Sequence, residues 1–364
     1  MIAPVFDHRR RRNGLWLETV CIPEQADQLS ALLEQRLGDN ASEWLFVLDP
    51  TACLSAYLPL ALTCDQILVH PLVDGTADQA PAVSGILYGL RGPRAALEQA
   101  DKVDWHVVTD PAGPVGPVPA LADGLAGWQQ CQPLADLGWE AFIMTGNQGA
   151  AGKQPKADQI ALTRLLGLVT SDADTDELES LFKTQPRLAF DLLNLVNSPA
   201  LSLRTPATNF RHAITLLGRR QLQRWLQLLM FTRQTSKGEV NILLWHSAFR
   251  GRLMELLARH LGWNTELSDQ AFMVGVFSLI DVLLDDTLEN LLRPLGLPES
   301  ILAALLEQQG PTGQLLGLAR AVEGRDTPEL STLSQHFELD ALTLLTLQLE
   351  TLLWVESFSS SAGN

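Results

Sequence analysis

The sequence predicts an α/β unit followed by an all-α domain, and three observations carry that prediction. Short β-like apolar runs alternate with helical patterns up to about residue 145 and then stop. From 159 to Trp354 apolar residues recur at helical spacing instead. Between the two textures lies GNQGAAGKQPKAD, 146–158, which has the composition of a linker. The boundaries that follow are a first domain over 1–146, a linker over 147–158 and a helical domain over 159–364.

The strand-like runs are EWLFVLD, QILVHPLV, GILYGL, WHVVTD and EAFIMTG, with helical patterns at 24–37 and 94–101. Such alternation builds a parallel sheet covered by helices. Proline and glycine crowd 111–127, which predicts a loop there. In the second domain the apolar sets are Leu162, Leu165, Leu166 and Val169, then Leu178, Leu181 and Phe182, then Leu188, Leu192, Leu193 and Val196. Thr175/Asp176 and Ser268 mark helix starts. Breakers fall at Pro186, Pro199, Pro206, Gly218, Gly238, Pro294 and Gly310, so about ten helices form a compact bundle.

With 46% hydrophobic and 19% charged residues among 364, the chain holds enough apolar surface for sizeable cores, which excludes wholesale disorder. A net charge of −16 excludes a general nucleic-acid coat protein. Cys21, Cys53, Cys64 and Cys131 form no CxxC pair, so they read as buried core residues in a reducing cytoplasm. MIAPVFDHRRRRNG has no apolar run after its basic cluster, and Arg9 to Arg12 read as a solvated turn, with a grip on a phosphate or an acidic surface as the alternative. AFMVGVFSLIDVLL is interrupted by Asp281 and too short to span a bilayer, so no membrane insertion is expected.

Charge is unevenly spread. Residues 183–238 hold nine basic residues against one acidic, Asp191. Arg204, Arg211, Arg219, Arg220 and Arg224 surround one helix-turn-helix segment, in which Leu222, Trp225, Leu226 and Leu229 share an apolar face. Two readings stand side by side. The arginines are solvated or paired internally with the acidic C-terminal segment, or they form an exposed patch that steers an acidic partner protein or the first domain of the same chain.

The segment 192–232, with Asn197-Ser198, Leu217-Gly218 and Gly218-Arg219-Arg220-Gln221-Leu222, resembles the core of the HDOD domain, an all-α relative of the HD phosphohydrolases. Residues 244–262 and 271–286 resemble its next two helices. FSLID and GPTGQLLGLARAVEGRD, 310–326, resemble the subfamily that joins a degenerate EAL domain to an HDOD domain. APVFDHRRRRNGLWLETV and LADLGWEAFIMTG, 134–146, resemble the opening and closing segments of an EAL domain, the cyclic di-GMP phosphodiesterase module. A (β/α)₈ barrel takes about 250 residues and rarely under about 200. Only 145 or so precede the linker, which predicts an incomplete or remodelled EAL-type barrel.

The resemblance implies two divalent cations held by carboxylates and an Asn, since both attacking and leaving oxygens of a phosphodiester need a cation. Glu18 stands at the signature Glu, but the expected Arg is Ile22 and the expected Asn is Leu48. No carboxylate occurs from 79 to 97, where a double-Asp strand belongs. The Lys-x-Asp strand reads Asp104-Trp105-His106, the late Glu pair Asp123 and Ala126, and the closing pair Ile143-Met144. In the second domain His246 stands at the first HD ligand, while Ser278 and Leu279 replace the His-Asp pair. Asp281 reads as a buried, hydrogen-bonded carboxylate and His246 as a helix-packing residue. No catalytic, metal or cofactor-binding residue is therefore expected, and no cofactor. The expected function is a catalytically inactive signalling scaffold, with a protein partner and without nucleic acid, in cyclic di-GMP-linked regulation. Residual metal-dependent phosphodiesterase or phosphohydrolase action is the second reading, and a nucleotide or nucleic-acid sensor using 183–238 is the third.

Overall fold

A computed structural model describes residues 2–7, 12–19, 45–50, 66–71, 87–97, 103–125, 128–144, 242–284, 286–293, 297–324 and 327–359, with isolated positions 31, 35, 218, 222–224 and 227. The linker 147–158, the helix starts at Thr175/Asp176 and four of the five patch arginines (Arg204, Arg211, Arg219, Arg220) lie outside these residues. Two compact units emerge: Met1–Ala150 with Ala321–Glu350, and Ala151–Arg320 with Thr351–Asn364.

In the first unit eight strands close a barrel in sequence order. They are β1 (Ile2–Asp7), β2 (Arg12–Thr19), β3 (Leu45–Pro50), β4 (Gln66–Pro71), β5 (Leu87–Gly92), β6 (Trp105–Val108), β7 (Ala120–Leu125) and β8 (Ala141–Met144). The expectation of missing strands is corrected: the ring is complete. Strands of four to eight residues keep it short. It is also not uniformly parallel. β1 runs antiparallel to both β2 and β8, while the pairs from β2 to β8 are parallel.

The loop expected over 111–127 is corrected at its end, because β7 occupies 120–125. Its sequence, ALADGL, lacks the β-branched residues that signal strands. Small residues suit it because four of its first five positions, Ala120 to Asp123, are buried against neighbours. Gly124 has φ +79°, and the β7–β8 register shifts between Ala122 and Leu125. This is a bulge, of the kind that re-aims a neighbouring side chain.

The short helix α1 (Arg94–Leu97) follows β5 and α2 (Trp128–Ala135) follows β7. Arg94 fastens the proline-rich loop. Its guanidinium donates to the carbonyls of Ala112 and Pro114, while its backbone N–H donates to Asp110 Oδ1 at 2.6 Å.

The helical part begins with α3 (Ile242–His260), α4 (Thr265–Phe277) and α5 (Ile280–Leu284). It continues with α6 (Leu288–Leu292), α7 (Glu299–Leu306), α8 (Gly310–Gly324), α9 (Thr327–His336) and α10 (Ala341–Ser359). Gly262, at φ +75°, stops α3 with a paired turn. Its N–H reaches Arg259 O, and the next N–H, of Trp263, reaches Ala258 O. Asn264 then caps α4, accepting from the Leu267 N–H at 2.8 Å. The helix start expected at Ser268 is therefore four residues early in the structure. Ser268 lies inside the first turn, its hydroxyl donating to Asn264 O.

α3 and α4 cross at glycine on glycine. A Cβ built on Gly275 would lie 2.6 Å from Gly251 Cα and 2.8 Å from Gly251 N. Phe249, Leu253 and Leu257 of α3 and Phe272, Val274 and Phe277 of α4 are buried about this crossing.

Asp340 caps α10, accepting from the Thr343 N–H at 2.9 Å and from its hydroxyl at 2.7 Å. The Thr343 side chain and backbone hold its carboxyl below the ordinary carboxylate range. A depressed folded pKa contributes stability above the unfolded value and loses it as pH falls through the folded one. Asp340→Ala is expected to cost about 0.5–2 kcal/mol at neutral pH, with the wild-type advantage shrinking at pH below the carboxylate range. Urea denaturation at neutral and acidic pH checks both.

Candidate functional site

The barrel register pairs Glu18 of β2 with Asp49 of β3, near the C-terminal ends of both strands. That end carries the active site in characterised barrels of this kind. The fuller side-chain geometry comes from β5 to β7. His106, Val108 and Ala120 line a cavity of about 280 Å³ with Leu97 of α1, Val118 and Trp139. These strand residues therefore face outward, beneath the covering helix and loop. Alternation along each strand turns their neighbours inward. The register pairs Arg91 with Val107 and Val107 with Leu121, so Arg91, Val107, Leu121 and Asp123 face the interior.

There Arg91 crosses over β6 to Asp123. Its Nη2 lies 2.9 Å from Asp123 Oδ2 and its Nε donates to the same oxygen at 3.0 Å. Asp123 is 1% exposed and Arg91 27%. A guanidinium on a buried carboxylate is a strong, directional pair. It takes up an oxygen that a divalent cation would otherwise need. The lone charge ending the apolar run GILYGL was the sequence signal for Arg91, and nothing there named its partner.

The second cluster lies at the α3–α4 crossing. His246 is buried on α3, its ring edge-on to Trp245 at 5.2 Å between centroids. Trp245 in turn stacks on Phe249 at 4.8 Å. One turn on, Arg250 is 1% exposed, and its Nη1 donates to Ser278 Oγ at 2.7 Å. Ser278 caps α4 and donates to Gly275 O at 2.7 Å. The single helix expected over 271–286 is thus divided here, into α4 and α5. Leu279 is buried. Asp281 is half-buried in the first turn of α5, and its Oδ1 has no hydrogen-bond partner among the described residues.

At Arg224, its one fully described member, the basic patch follows the reading of internal pairing with the acidic C-terminal segment and not that of an exposed patch. Arg224 is 14% exposed, not a surface charge. It pairs with Glu255, which is 0% exposed, at 2.7 Å, and with Asp269. Its guanidinium also lies over the Phe272 ring, 4.9 Å from the centroid. Glu255 further receives Arg252 at 2.8 Å, and Arg259. Sequence analysis missed Glu255 and Arg250. The signal for both was a charge at helical spacing within the apolar stripe of 244–262.

Among the described residues no group of three or more His, Cys, Asp and Glu side chains is placed to hold a metal ion. The described groups do not fit the two-cation chemistry that the EAL resemblance implies, since Asp123 is already bound to a guanidinium. Nor do they fit an HD metal, because a guanidinium lies against Ser278. None of the helices among the described residues is long and apolar enough to cross a membrane.

Comparison with known proteins agrees on the helical part. Residues 155–291 match the HDOD domain family. The chain is 30% identical over 167 residues to the cyclic di-GMP phosphodiesterase CdgJ of Vibrio cholerae, covering 46% of this chain and 38% of that one. It is 31% identical over 169 residues to the uncharacterized protein YuxH of Bacillus subtilis, covering 46% and 40%. The match thus spans about two-fifths of the length of these curated relatives. An HDOD domain protein of unknown function from Geobacter sulfurreducens, solved by crystallography, aligns over 56% of this chain and 90% of its own with 15% identity and a TM-score of 0.37.

Proposed function

We propose that the chain is a catalytically inactive signal-transduction scaffold, pairing a degenerate EAL-type barrel with an HDOD domain and acting through protein contacts in cyclic di-GMP-linked regulation. The observation that carries this reading is the Arg91–Asp123 pair inside the barrel. Two-cation phosphodiester hydrolysis needs several carboxylate oxygens free for metal. Here the described interior carboxylate is neutralised by a fixed arginine, which also repels a cation approaching Asp123. The complete ring of eight strands supports the reading of the first unit as a barrel of the (β/α)₈ kind. The similarity to a protein named as a cyclic di-GMP phosphodiesterase supports the regulatory setting. The partner is a signalling protein met in the cytoplasm.

Incubation of the full chain with cyclic di-GMP and Mg²⁺ or Mn²⁺ tests the reading. No linear dinucleotide is expected. Turnover that disappears in Glu18→Ala would establish the phosphodiesterase alternative instead. Removing the guanidinium with Arg91→Ala is expected to leave hydrolysis at zero, because the missing Asn and double-Asp positions are not restored by it.

A further inference from the structure

We propose that the Arg250 guanidinium is the resident cation of the α3–α4 site, a charge tethered to the chain that fills the position and shuts out a divalent metal. The inference rests on the degenerate-site reading above and gives it a cause. Four observations meet at this point. Arg250 is 1% exposed, in a position where a long cationic side chain is kept only if its charge is satisfied. It donates to Ser278 Oγ at 2.7 Å, across from α3 to the cap of α4. The glycine contact between Gly251 and Gly275 brings the two helix backbones close enough for that bond. His246 lies one turn before Arg250, at the i, i+4 spacing that shares a helix face.

A divalent ion placed beside Ser278 would meet a fixed positive charge among buried side chains, where like charges repel most strongly. The absence of a His-Asp pair at 278–279 is then only half of why the site would hold no metal; Arg250 is the other half.

The guanidinium's role is tested by chemical rescue in the full chain. Arg250→Ala leaves a hole shaped for a planar cation and is expected to lower the thermal midpoint by several degrees. Millimolar methylguanidinium should restore most of that loss saturably, while methylurea, neutral and of the same shape, should not. If the substitution prevents folding altogether, near-ultraviolet dichroism should return on adding methylguanidinium and stay absent with methylurea. No rescue, or equal rescue by methylurea, overturns the proposal.

Metal exclusion is read separately by equilibrium dialysis against Zn²⁺ and Mn²⁺ with elemental analysis. Ser278→His with Leu279→Asp should take up no more metal than wild type while Arg250 is present. Adding Arg250→Ala to the pair should bring about one equivalent. Uptake with Arg250 in place, or none in the folded triple variant, overturns the exclusion. Turnover of cyclic di-GMP would end the scaffold reading without touching either result, and failed rescue would end this inference while leaving the scaffold reading intact.

Discussion

Replacing Glu255 with Ala should destabilise the helical unit by about 3–5 kcal/mol, the range for stranding the partners of a buried charge. Glu255 is 0% exposed and receives Arg224, Arg252 and Arg259. Without it, only Asp269 remains among the described acidic partners of Arg224. Arg224 and Arg252 are largely shielded from water, at 14% and 21% exposure. They are also committed to aromatic faces: Arg224 over Phe272 at 4.9 Å and Arg252 over Trp354 at 5.5 Å. Withdrawing them would break contacts with α4 and α10 as well as the ion pairs. Glu255→Gln keeps the shape and one acceptor oxygen, so its loss should be smaller. Urea denaturation followed by tryptophan fluorescence orders the variants, and a loss below about 1 kcal/mol for Glu255→Ala would reduce the cluster to an ordinary surface network.

The same cluster changes what a charge reversal at Arg224 means. On an exposed helix face, Arg224→Glu would weaken a partner and spare the fold. Here it places a third carboxylate against Glu255 and Asp269, so it should unfold the unit before it reports on any partner. A charge-reversal test of a partner surface therefore has to leave Arg224 in place.

What the sequence revealed, and what it hid, divides along physical lines. Strands β3, β4, β5, β6 and β8 were legible because each carries an apolar run bounded by turn residues. β7 was not, because ALADGL is built of small residues whose strand state comes from burial and not from intrinsic preference. The closure of the barrel was hidden for another reason. Domain length measures strands, helices and loops together, and a short chain can keep all eight strands by keeping each one short. Helix limits failed where caps compete. Asn264 and Ser268 are both good caps, and only the turn built by Gly262 decides for Asn264.

At the two degenerate sites, the losses were readable as missing ligand types at Leu48, Ser278 and Leu279. The gains were not. Arg91 meets Asp123 from 32 residues away and Arg250 meets Ser278 from 28, pairings that a sequence alone does not specify. Both gains have the same chemistry: an arginine in contact with a polar group where the family resemblance would place a metal ligand. A metal site that merely decays leaves buried polar groups unsatisfied, at a cost of about 1–3 kcal/mol each. The guanidinium donates to Asp123 at one place and to Ser278 at the other, although Asp281 Oδ1 stays without a hydrogen-bond partner among the described residues. That gives a selective reason for arginine at both places that owes nothing to turnover.

Gly275→Ala is expected to be the more damaging of the two exchanges of glycine for alanine at the α3–α4 crossing. The added methyl carbon would lie 2.6 Å from Gly251 Cα, 2.8 Å from Gly251 N and 2.9 Å from the Arg250 carbonyl carbon. All three are backbone atoms, so no rotamer change relieves the overlap and α3 must move away from α4. Overpacking of a core usually costs about 1–3 kcal/mol, and a backbone collision belongs at the top of that range. Separation of the helices also pulls Arg250 from Ser278, adding the loss of a charge-assisted hydrogen bond. Gly251→Ala should cost less, because its closest contact, at 2.6 Å, is the Val276 Cγ2 methyl, which belongs to a side chain and can shift. Gly324→Ala, with nothing within 4 Å, should be neutral or stabilise by about 0.4–1 kcal/mol through the unfolded chain. Denaturation midpoints should therefore fall in the order Gly324, Gly251, Gly275. If Gly275→Ala proved as stable as Gly324→Ala, the helices would not be in contact at this point, and the positioning of Arg250 against Ser278 would need another cause.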